Sequence, residues 1–157
     1  MRTGTKLEDL FEEQLENLLD AAKQIVEALP KMVVQAASEE LATAFEQHLG
    51  KTNEQVTRLE IIFGREGVQP GARKSEGMQA LLSEAEQSCG VGGKPLAGDL
   101  ALMTSARRMA HYAIASYSAA CVLAETLGQF DNTLAKIGDA LLSGGASAPG
   151  TESLPPM

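Results

Sequence analysis

Between Leu7 and Leu29 the side chains Leu7, Phe11, Gln14, Leu18, Ala22, Ile25 and Leu29 recur at steps of three and four. That spacing keeps returning to one side of a helix with 3.6 residues per turn, whereas a strand alternates sides every residue. Leu15, Leu19 and Val26 widen the stripe into a face suited to a helical neighbour. One helix is therefore predicted over about residues 6–29. Pro30 should open a new segment, because it lacks the amide hydrogen that a helix interior needs, with a short helical corner over residues 31–37. Ser38 before Glu39 and Glu40 reads as an N-cap with acids in the first turn of the next helix.

The second helix is expected over about residues 39–63, with Leu41, Phe45, His48, Thr52, Val56, Leu59 and Phe63 along one face. Glu54 and Arg58 are placed to pair on its outer side. Gly64, Gly67 and Pro70-Gly71 should end it. A shorter third helix fits residues 75–88, facing inward through Met78, Leu81, Leu82 and Ala85. The stretch CGVGGKPLAG follows as a connection. It is not a phosphate loop, because Pro95 follows Gly93-Lys94 where Ser or Thr is required. A fourth helix should begin near Asp99, read as an N-cap or first-turn acid, and reach Leu127. Its inward stripe would run through Leu100, Met103, Arg107 or Ala106, Ala110, Ala113 or Ile114, Tyr117, Cys121 and Ala124. A short fifth helix fits residues 132–142. Abundant Ala, 4% aromatics and no Trp fit helices better than sheets.

A chain of 157 residues has room for one domain, assigned here to residues 1–143. Residues 144–157, rich in Ser, Gly and Pro, carry no core pattern and are expected to form a loose tail. The formal charge of -8 repels phosphate, so neither nucleic acid nor an anionic membrane surface is an expected partner. No run of about 18 apolar residues could span a bilayer. The N-terminus lacks the apolar core of a secretory signal, and two cysteines make no disulfide scaffold. A cytoplasmic location is expected.

His48 and Gln14 are unusual on otherwise apolar stripes. Each could be a satisfied core residue, and a hydrogen bond between them would serve both. His111 lies beside its stripe, where a structural or surface role suffices, and Tyr117 can fill core volume while its hydroxyl finds a partner. A dinuclear centre in a helical bundle needs about four carboxylates and two imidazoles, commonly through Glu-x-x-His pairs. Here Phe45 and Arg108 occupy the positions three before His48 and His111. The zinc-hydrolase His-Glu-x-x-His and the Gly-x-Ser-x-Gly nucleophile turn are absent as well.

The stretches LEDLFEEQLENLLDAAKQIVEALPKM, LATAFEQHLGKTNEQVTRLEIIF, GMQALLSEA and RRMAHYAIASY, in that order, resemble the YciF/YciE-like family of ferritin-like, stress-associated bacterial proteins. The resemblance spans roughly residues 7–142. It implies an all-α fold: a ferritin-like antiparallel four-helix bundle with an additional short C-terminal helix, usually dimeric. It also raises a dinuclear iron or manganese centre as the cofactor to test. Against that family's usual pattern, Gln14 and Ala22 stand where acids are common. In the stretch that usually reads Glu-His-Tyr-Glu, Ala110 and Ala113 replace both acids. Gly50-Lys51 follows His48 where acidic residues are usual, and no Glu-Glu pair stands near Leu142-Ser143. Gln14, His48, Glu84 and His111 remain as candidate remnants of the centre, with Glu54 a further one. The expectation is a non-catalytic structural or interaction protein without cofactor, homodimeric, with a small apolar ligand in the bundle as an option. The competing expectation is a redox or metal-dependent enzyme with a rearranged iron or manganese site.

Overall fold

A computed structural model describes residues 6–67, 69–89, 95–128 and 131–146. They form five helices: α1 (Lys6–Gln35), α2 (Glu39–Glu66), α3 (Glu76–Cys89), α4 (Pro95–Leu127) and α5 (Asn132–Ala146). The fold is all-α, as the periodicity predicts. The part of the expected tail from residue 147 onward lies outside the described residues, as do residues 90–94 of the Gly-rich connection.

Several boundaries move for identifiable reasons. Pro30 does not break the first helix, which continues to Gln35. Its ring costs one backbone hydrogen bond, but Pro30 is exposed, so water can serve the carbonyl it leaves. Ser38 caps α2 as expected, accepting the Leu41 amide hydrogen at 3.2 Å. That helix runs past Phe63 until Gly67, whose φ of 65° is the left-handed conformation that closes helices at low cost to glycine. The fourth helix begins a full turn before Asp99, with Pro95 at its first position, where no amide hydrogen is needed. Asp131 starts α5 by accepting from Leu134 N at 2.9 Å. Its other oxygen meets Arg65 of α2 at 2.6 Å.

Four helices close a ring. α1 packs on α2 and α4, and α5 packs on α4 and α2, whereas α3 lies outside against α4 and, more lightly, α1. The short C-terminal helix is thus a member of the four-helix frame, and α3 is the additional one. One apolar cluster, including Phe11, Leu15, Leu59, Phe63, Ala120 and Leu134, fills the end where α5 is present. A second, including Leu29, Phe45, Met78, Leu102 and Met109, fills the other end beneath α3. α4 touches three helices, so its buried face is broader than a single stripe. Leu102, Ser105, Met109 and Ser116 are buried with Ala106, Ala113 and Tyr117, while Leu100 is 41% exposed.

The bundle centre as candidate functional site

The four ring helices meet around a small cavity of about 20 Å³. α1 contributes Ile25, α2 His48, Lys51, Thr52 and Gln55, α4 Ala110 and Ala113, and α5 Ala140 and Leu141. Residues 48, 52 and 55 share one face of α2 through their spacing of four and three, and 110 and 113 do the same on α4. The sequence-predicted juxtaposition of His48 with Ala110 and Ala113 is therefore present. The space admits about one water molecule, and His48, Thr52 and Gln55 supply polar partners for it.

Burial, and secondarily the Lys51 ammonium, hold His48 below the ordinary imidazole range, so it is neutral near pH 7. Thr52 donates its hydroxyl to the His48 carbonyl one turn back, at 2.8 Å. The remaining sequence candidates lie elsewhere. Gln14 is half-buried and sits eleven residues before Ile25, roughly 16 Å along the helix. The hydrogen-bonded pair with His48 is thus out of reach. Ala22 is buried one turn from Ile25 without lining the cavity. Glu84 is an exposed α3 residue whose carboxylate meets Arg108 at 3.3 Å. His111 is exposed, and Glu54 pairs with Arg58 at 3.7 Å on the outer face of α2.

The donor set does not suit a dinuclear metal centre. One neutral imidazole, an amide and a hydroxyl face three alanines, a leucine and an isoleucine, and the nearby ammonium repels cations. Among the described residues, no three His, Cys, Asp or Glu side chains come together in a way that could hold a metal ion. Tyr117 lies toward the other end of the same α4 face. Its hydroxyl donates to the Leu134 carbonyl at 2.9 Å, and its ring lies so close to Gly138 that a side chain there would overlap it. Burial and the neighbouring Cys121 push the phenol above its usual range. Burial likewise pushes the Cys121 thiol up, which makes it a poor nucleophile at neutral pH.

The more elaborate polar arrangement was not anticipated from sequence. Asp99, expected to cap its own helix, is buried in the second turn of α4 and accepts from Ala37 N at 2.7 Å and Ser38 N at 3.0 Å. It therefore caps the start of α2. Along the α1–α3–α4 seam the Tyr112 hydroxyl lies 3.0 Å from Ser75 Oγ and donates to Asn17 Oδ1 at 3.2 Å. Asn17 Nδ2 in turn donates to Ser116 Oγ at 3.2 Å. The one signal in the sequence was Ser75 itself, a capping residue directly before a helix.

The family model described as "Domain of unknown function (DUF892)" matches residues 6–141, and the chain belongs to that family. Within it, the chain is 32% identical over 123 residues to protein YciF of Escherichia coli K12, covering 78% of this chain and 74% of that one. The crystal structure of the E. coli stress protein YciF superposes with a TM-score of 0.77 at 29% identity, over 95% of this chain and 91% of that one. YcfI, titled a candidate structural protein from Rhodopseudomonas palustris, superposes at 0.89 with 27% identity, over 99% and 98%. Among the described residues, no helix is long and apolar enough to cross a membrane.

Proposed function

We propose that this protein is a non-catalytic, cytoplasmic, ferritin-like structural or interaction protein, associated with stress as the description of E. coli YciF suggests. The observation that carries this reading is the chemistry of the bundle centre. Ile25, Ala110, Ala113, Ala140 and Leu141 meet there around one neutral imidazole and a cavity fit for a single water. Carboxylates clustered in a dry core need a cation to offset their repulsion. Small apolar side chains remove the need for one and leave the frame stable by packing alone.

The protein would act as a homodimer through its outer surface. Support comes from the resemblance to a family whose members are usually dimeric. A small apolar ligand would not fit the centre. Its space is the groove of about 330 Å³ between α1, α3 and α4, floored by Met32, Ala85 and Leu102.

Metal analysis of protein purified without chelator, combined with oxygen uptake in the presence of ferrous iron, tests the reading. Substoichiometric metal and no turnover are expected. Stoichiometric iron or manganese with oxygen-dependent turnover would establish the competing metal-dependent enzyme instead.

A further inference from the structure

α3 and the loop before it lie outside the four-helix ring, and their attachment differs in kind from that of the other helices. Three acidic side chains on successive turns of α1 hold the loop. Glu13 pairs with Arg73 at 3.1 Å, Glu16 accepts from Gly71 N at 3.1 Å, and Asp20 accepts from Ser75 N at 2.6 Å. Lys74 adds a longer contact to Asp20 at 3.7 Å. Gln24 binds the same junction from the next turn, donating to Asp20 at 2.6 Å and to the Ser75 carbonyl at 3.1 Å. Ser75, 1% exposed, then caps α3 through Met78 N at 3.4 Å while its hydroxyl meets Tyr112. Gly77 lets the Tyr112 ring approach, since a Cβ there would lie 2.5 Å from the ring edge.

The other half of α3 stands off from α1. Leu82, Ala85 and Glu86 form one wall of the 330 Å³ groove, with Ala28 and Met32 opposite. Of residues 76–88 of this helix, Met78 and Ala85 alone are buried. A helix this short is not stable alone in water and depends on what holds it. Its removal leaves every ring contact in place, because α1, α2, α4 and α5 close on one another without it.

We propose that α3, with residues 69–75, is a releasable cover, latched at its N-terminal end by Asp20 and Tyr112 and held in its C-terminal half by Ala85 and the exposed Glu84–Arg108 ion pair. Release takes Met78 out of the buried apolar cluster it shares with α1, α2 and α4. It opens the groove along α1 and α4 and uncovers Met32 and Leu102 on its floor, beside Gln24, Glu27, Lys31 and Gln35. Segments with few buried apolar contacts open locally, below the free energy of global unfolding.

Hydrogen exchange of the full chain, followed by mass spectrometry, tests this with Asp20→Ala and the milder Tyr112→Phe. In the unsubstituted protein, amides of residues 76–89 should exchange at least about tenfold faster than those of residues 45–60. Asp20→Ala should accelerate the α3 amides by about a further tenfold, with Tyr112→Phe intermediate, and leave α2 and α5 unchanged. Exchange of α3 at the same rate as α2 in the unsubstituted protein would overturn the proposal. So would equal acceleration of α2 and α3 in Tyr112→Phe, because both results make α3 part of one cooperative unit with the ring.

Discussion

The bundle centre and the α1–α3–α4 seam both draw on α1 and α4, yet no carboxylate lines the first and carboxylates organise the second. At the centre, four helices meet at their middles or, for α5, within its helical body. Their backbone amides are already committed within each helix, so a carboxylate there finds no backbone donor. At the seam and at the neighbouring α1–α2 corner, helix beginnings are exposed to their neighbours. Asp20 accepts the Ser75 amide hydrogen, and Asp99 accepts those of Ala37 and Ser38. The first amides of a helix lack internal partners, which makes them ready donors to an acid from another element. A buried acid in this protein is therefore sustained by where it meets a helix, and acids at the centre would need a metal to do the same.

That contrast can be broken most directly by moving an acid to the wrong place. Ala113→Glu puts a carboxyl at a position 8% exposed with no free backbone donor, and should cost about 3 kcal/mol in chemical denaturation. If manganese or iron restored that loss, the centre would be a competent ligand set after all. Removing an acid from the right place comes next. Asp99→Ala strips two amide hydrogens at the α2 start of their acceptor and should cost about 2 kcal/mol, read by the same denaturation. A loss within error would mean that water replaces the carboxylate and that the corner does not depend on it.

The smallest effect is the pH response of the centre. His48 is held below its ordinary value of 6.5 in the folded protein, chiefly by burial. As pH falls below that value, the unfolded chain binds the proton first. His48 therefore contributes its full share of stability above about pH 6.5 and loses it as pH falls through the lower folded value. The unfolding temperature should decline more between pH 7 and 5 in the unsubstituted protein than in His48→Gln. Parallel curves would show that burial does not hold His48 below its ordinary value.

The helices were legible because their signals are local. The cap at Ser38, the stripe of α1 and the pairing of Glu54 with Arg58 all follow from neighbours within four residues, and each is present. The stripe of α4 was only partly legible. Its buried positions are Ala and Ser as often as larger residues, and small side chains carry little hydrophobic contrast. Gln14 shows the limit most clearly. It lies on the same stripe as Ile25, but a stripe fixes a direction around the helix, not the height at which another helix brings its histidine. Asp99 was misplaced for a related reason, since an acid near a helix start suits its own helix or a neighbour's equally well.

By itself the sequence determined five helical segments, one apolar face on most of them, and the absence of acids from positions 110 and 113. Tertiary structure alone decided that α5 closes the ring while α3 lies outside, that His48 meets Ala110 rather than Gln14, and that Asp99 caps α2. Periodicity follows from the rotation each residue adds along one helix. Which faces meet, and at what level, depends on the relative shift and turn of separate helices. Those are set by contacts between residues as many as 99 positions apart, as between Asn17 and Ser116.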